Sequence, residues 1–175
     1  MISAIKFGKR QEGSAAAEMA LLMPLVVALF FGCFEGAHFL YVEHQIVKGV
    51  RDGARFAARQ SFTNYSCSSS TVPSALETSI KNVTVYGKAT VTQTDAPRVW
   101  TWTVPDTSGQ SVTSVTVSCP VTAISTGIYS TMGLSNAPQV TISAVVRYPS
   151  LLGSLSGLTA SFNVYATDQA AVMGV

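Results

Sequence analysis

A chain of 175 residues has room for one modest domain and a long helix. Hydrophobic residues make up 47% of it and charged residues only 11%, roughly half the charge of an ordinary soluble domain, so part of its surface is not built for water. A net charge of +2 is weak and argues against a dedicated nucleic-acid binder, which would show a clustered basic face.

Residues 1–13 carry Lys6, Lys9 and Arg10 against a single acid, Glu12. Residues 14–34 follow as a run of about twenty apolar or small residues, long enough to cross a bilayer core as a helix. The basic leader favours a cytoplasmic N-terminus. Lys48, Arg51, Arg55 and Arg59 lie beyond the run, but long segments are translocated largely regardless of charge.

Three readings of the run compete. A cleaved secretory signal places its small residues after the apolar core; here Ala15, Ala16 and Ala17 precede it. A lipoprotein signal would use Gly32-Cys33, but Phe30 and Phe31 are too bulky for that pattern. A retained anchor cut at its cytoplasmic edge is the reading that accounts for Glu18, the one acid in the run. Glu18 is either hydrated near the interface, where a helix N-terminus also favours its charge, or paired with a cation from a neighbouring chain.

Beyond the run, Ile46, Val47, Val50, Gly53, Ala54, Ala57 and Ala58 recur at three- and four-residue spacing. They draw a small, apolar stripe down one helix face, so the helix is expected to continue to about Gln60. Pro24 should kink it or melt a turn. The stripe packs either on the chain's own β domain or on neighbouring helices, where small residues permit close approach. Arg51, Asp52 and Arg55 read as a solvated face. His38 and His44 fall on different helix faces without a third ligand, so no metal site is expected.

Gly13-Ser14-Ala15-Ala16-Ala17-Glu18 resembles the cleavage site of type IV prepilins. The resemblance implies cutting by a prepilin peptidase after Gly13, with Ser14 as the new N-terminus and Glu18 as the fifth residue of the mature chain. It further implies that Glu18 engages the free amine of an adjacent subunit during assembly. Residues 16–25, Ala-Ala-Glu-Met-Ala-Leu-Leu-Met-Pro-Leu, look like the opening of TadE-like proteins, minor pseudopilins of the Flp (tight adherence) pilus. Residues 49–58, Gly-Val-Arg-Asp-Gly-Ala-Arg-Phe-Ala-Ala, look like that family's second typical stretch. The clear resemblance spans roughly residues 10–60, and TadF- and TadG-like relatives share the anchor. The partners it implies are the bacterial inner membrane, a prepilin peptidase and other pilins or pseudopilins.

After Gln60 the composition changes. Residues 61–74 read as a serine-rich loop, and residues 73–81 as a short helix with Pro73 in its first turn. Five segments show β-branched enrichment with alternation: 83–92, 98–104, 112–122, 140–148 and 159–166. Val112, Val115, Val117 and Val121 fall out of phase, which suggests a bulge. Residues 105–109, Pro-Asp-Thr-Ser-Gly, signal a turn. Trp100 and Trp102 would share one strand face, in the core or as a ligand platform. Residues 124–138 read as an irregular crossing, and residues 150–158 as an apolar, flexible segment.

The expected fold class is α+β: a leader (1–13), a transmembrane helix with its periplasmic extension (14–60), and a small antiparallel β domain in the periplasm (61–175). Cys67 and Cys119, 52 residues apart, either pair if that domain is exported or remain two unrelated thiols. No phosphate-cradling loop, nucleophile elbow or zinc helix is present, and the acids of the β region are few. Neither an enzyme nor a cofactor is therefore expected. Two functions remain open: a pilus-assembly subunit, or a membrane-tethered periplasmic binding module.

Overall fold

The computed structural model describes residues 12–65, 67, 71–104, 111–119, 130, 137–153 and 162–174. Helix α1 (Glu12–Ala58) is 47 residues long, about 70 Å at 1.5 Å per residue. A 3-10 turn (Phe62–Asn64) and helix α2 (Ser74–Tyr86) follow. Strands β1 (Ser111–Ser118), β2 (Gln139–Arg147) and β3 (Asn163–Ala171) form an antiparallel sheet in the order β1-β2-β3. The expected α+β class holds. The expected helix end at Gln60 moves back two residues, and α1 stays helical through Pro24, so no turn melts there.

The two halves of α1 live in different surroundings. From residue 15 to residue 41 nearly every side chain is exposed, with Leu21 at 81%, although most are apolar. From Val42 onward a stripe goes under: Val42, Ile46, Gly49, Val50, Gly53, Ala54, Ala57 and Ala58. This is the stripe that three- and four-residue spacing draws, one turn longer than expected and without Val47, which is half-buried at its edge. It packs against the chain's own head, between α2 and the inner face of the sheet. That face carries Val140, Ile142, Ala144 and Val146 of β2 and Val164 of β3, all buried. Removing such side chains from water contributes about 1.5–3 kcal/mol each.

Small residues set the distance between the helices. A Cβ on Gly49 would come within 2.5 Å of the Thr84 carbonyl oxygen and 3.0 Å of the Trp102 ring. A Cβ on Gly53 would overlap the Thr84 hydroxyl. Thr84 is fully buried and turns its hydroxyl back to the Ile80 carbonyl at 2.8 Å. The two glycines thus form a trough that receives α2.

Three strand expectations change. Residues 83–86 are the last turn of α2, which ends at Gly87 with φ +77° as its left-handed cap. Staying helical buries Ile80, Thr84 and Val85 together, and this packing overrides the β-branched preference. Residues 98–104 form turns rather than a strand. They are pinned by the Arg98–Asp52 ion pair at 2.8 Å and by the Arg98 N–H donating to the Val85 carbonyl at 2.9 Å. Trp100 and Trp102 consequently do not share a face. Trp100 is 73% exposed, whereas Trp102 is buried and donates its indole N–H to the Thr113 hydroxyl at 2.8 Å. Finally, β3 starts at Asn163 and continues through Ala171, past the expected end at Ala166.

No bulge interrupts β1, which pairs residue for residue with β2 from Ser111↔Val146 to Ser118↔Gln139. Val112 breaks the phase because it simply faces outward. The expected turn at 105–109, Val121, most of the crossing at 124–138 and residues 154–158 lie outside the described residues. Cys67 and Cys119 form a disulfide, with Cα atoms 5.6 Å apart. It ties the chain just after α1 to the end of β1.

Candidate functional site

The candidate site is α1 itself, together with its junction to the head. Gly13 and Ser14 lie in the first turn of the helix, and Gly13 has open space around its Cα. Glu18 lies one turn further on and is exposed. The following apolar surface is exposed without interruption: Leu21, Leu25, Leu29, Phe30 and Phe34 are each more than half accessible. Water would be a poor solvent for such a face. A helix apolar all round belongs in a membrane or among other helices.

The exposed apolar surface does not stop at Phe34, where the sequence pattern ends it. Phe39, Leu40 and Tyr41 continue it. Within this stretch only Glu35 and His38 are half-buried, one turn apart on the face toward the head. They hold the segment that leaves β2. The Leu152 N–H donates to the Glu35 carboxylate at 3.2 Å. The Tyr148 hydroxyl donates to the Glu35 carbonyl oxygen at 3.2 Å and lies 3.0 Å from His38 Nδ1. Both contacts are satisfied together when His38 carries its proton on Nδ1 and donates to the phenolic oxygen. Tyr148 also meets the edge of the Phe39 ring, with centroids 5.3 Å apart.

Sequence reasoning passed over Glu35 and its lock. An acid closing an apolar run, with His38 three residues later on the same face, was the available signal. Leu152 and Tyr148, more than 110 residues away, gave none. His44 is exposed and lies six residues beyond His38 on a different face. Among the described residues no group of three His, Cys, Asp or Glu side chains could hold a metal ion.

Higher on α1, Lys48, Arg51, Arg55 and Arg59 are exposed and form a basic ridge beside the buried stripe. Asp52 does not pair with its helix neighbours; its partner is Arg98. Shallow clefts follow the ridge, one between Val47, Val50, Arg51 and Tyr165 and one between Arg55, Arg59 and Met173. In the loop after α2, Lys88 and the Thr92 amide and hydroxyl hold the half-buried Asp95 carboxyl down at about 2.

No curated protein and no solved structure matches this chain. Among the described residues, one helix, spanning Ala15–Ala58, is long and apolar enough to cross a membrane, which makes it a candidate anchor. The family model described as TadE-like protein matches residues 13–55. This match starts at the proposed cut and ends within the buried stripe, so it covers both halves of α1. Over that helix the chain matches the TadE-like family, consistent with a TadE-like protein associated with the Tad pilus system.

Proposed function

We propose that this protein is a minor pseudopilin that takes part in assembly of a Flp/Tad pilus by helix packing. The observation that carries the reading is the division of α1. Its second half buries a stripe in the head, while its first half presents an apolar surface that the chain itself leaves open. In the bilayer, lipid covers that surface. In a filament, the same half helices of neighbouring subunits cover it, and small residues such as Gly32 and Gly36 leave room for close approach.

In this reading the leader, residues 1–13, stays cytoplasmic and is removed by a prepilin peptidase between Gly13 and Ser14. The segment of residues 14–60, helical to Ala58, spans the inner membrane once and extends from it. Residues 61–175 complete a periplasmic head. The Cys67–Cys119 disulfide supports that placement, because such bonds persist in oxidising compartments. Glu18 is the residue whose charge meets the new amine of an adjacent subunit, an ion pair formed in a low-dielectric setting that tolerates no unpaired carboxylate.

The test is a Glu18→Ala strain. Membrane insertion, leader removal and the head's disulfide are expected to remain, while piliation is lost or sharply reduced. Normal piliation would remove Glu18 from the assembly step.

A further inference from the structure

We propose that the end of the head nearest the exposed half of α1 is a membrane foot, resting in the interfacial layer of phospholipid around α1. The proposal rests on the reading of α1 as a membrane anchor.

The strands run along α1, so the sheet has a near end and a far end. Tyr148 binds Glu35 and His38 at the near end, and the Met173 N–H donates to the Ala58 carbonyl at the far end. Among the described residues, the exposed large apolar side chains of the head lie toward the near end, apart from Met173 at the far end. Leu151 (55% exposed) sits in the segment locked to Glu35. Phe162 (62%) is fixed there by the Tyr148 N–H donating to its carbonyl at 2.7 Å. Trp100 precedes Thr101, whose hydroxyl donates to the Arg147 carbonyl at 2.7 Å.

The sheet's outer face carries its large apolar side chains toward the same end. Behind the polar border pair Arg147–Asn163 comes the rung Val112–Val145–Tyr165, with Val112 and Tyr165 exposed. The next rungs are Ser114–Ser143–Thr167 and Thr116–Thr141–Gln169. A face that merely meets water has no reason to gather its large apolar side chains in the rung behind one border. A face that dips into an interface does, and aromatic side chains are the residues favoured there. Arg147, exposed at the same end, adds a cation at the level of lipid phosphates. Glu35 Oε2 accepts the Leu152 N–H, which keeps that oxygen and the amide partnered at the depth where water thins out.

The foot gives the head a fixed tilt over the membrane, and leaving the membrane requires lifting these side chains out of lipid together with α1. The test uses the full chain in liposomes of phosphatidylethanolamine and phosphatidylglycerol, with Cys33→Ser removing the free thiol and the disulfide kept. Nitroxide labels are placed singly at Leu151→Cys and Phe162→Cys, with Leu29→Cys on the anchor and Thr116→Cys on the polar rungs as references. Collisions with oxygen and with a water-soluble nickel chelate are measured. Both foot labels should meet the chelate several-fold less often than the Thr116 label and meet oxygen more often, in the direction of Leu29. Chelate access equal to that at Thr116 overturns the foot while leaving the anchor intact. Shielding from both reagents overturns it in favour of a contact with protein, such as a second copy. Free chelate access at Leu29 as well would overturn the anchor and the foot together.

Discussion

Gly53 is the residue at which a single methyl group decides how closely α1 and α2 lie. In an open helix, alanine would be favoured there by about 1 kcal/mol. Here its Cβ would overlap the Thr84 hydroxyl and come to 3.1 Å from the tip of Ile142. Gly53→Ala is therefore expected to destabilise the head by about 1–3 kcal/mol, as overpacking does. Gly32→Ala, with nothing within 4 Å, should be neutral or slightly stabilising. Thermal unfolding of the two variants in detergent would show it, and equal melting temperatures would contradict the trough.

Tyr65 gives a second residue-scale test. It is buried and donates its hydroxyl to the Ala57 carbonyl at 2.5 Å, closing the end of α1. Burial pushes its hydroxyl up to about 12, from 10.0. A raised folded value means that the native state keeps its proton longer than the unfolded chain does. The associated stability is complete below pH 10 and drains away between pH 10 and 12. Tyr65→Phe should lose about 0.5–1.5 kcal/mol at neutral pH for the missing hydrogen bond, and show a smaller loss on alkaline titration. An unchanged alkaline profile would mean that Tyr65 ionises freely in the folded protein.

At the scale of elements, α1 was the most legible part of the chain. Its apolar run and its stripe each repeat over several turns, and both signals are local. The stripe's partner was not local, so two readings stood open until Thr84 and Ile142 appeared against Gly53. Strand β2 was equally clear, because β-branched residues alternate through it with one face buried. The 83–92 strand failed because Val83-Thr84-Val85 carries strand preference in a place where a helix buries more. The 98–104 strand failed because alternation alone cannot tell a ladder from a segment held by side chains. The end of β3 was hidden by Asp168 and Gln169, polar residues in a strand whose pairing with β2 keeps it extended.

The disulfide belongs to this scale too, since it staples α1's exit to the end of β1. Closing a loop over a separation of 52 residues removes about 4 kcal/mol of unfolded-chain entropy. Reduction should lower the head's stability by about 2–4 kcal/mol and leave the exposed half of α1 helical in detergent. Thermal scans with and without reductant, followed at a helix and an aromatic wavelength, would separate the two. Coincident scans would show that the bond holds nothing the core does not already hold.

At the scale of the whole molecule, the chain is a head that has taken over half of a long helix and left the other half bare. Gly13, Ser14 and Glu18 could be picked out because they sit in consecutive sequence, at the entry to the apolar run. Glu35, Tyr148 and Leu152 could not, because their meeting depends on where β2 ends. The bare half is the claim on which the rest depends: a membrane anchor that becomes an assembly element once its leader is gone. The most direct test is the intact mass, with N-terminal sequencing, of the protein recovered from the inner membrane. The account predicts a chain that begins at Ser14 and keeps the Cys67–Cys119 bond. A mature chain that still begins at Met1 would contradict it.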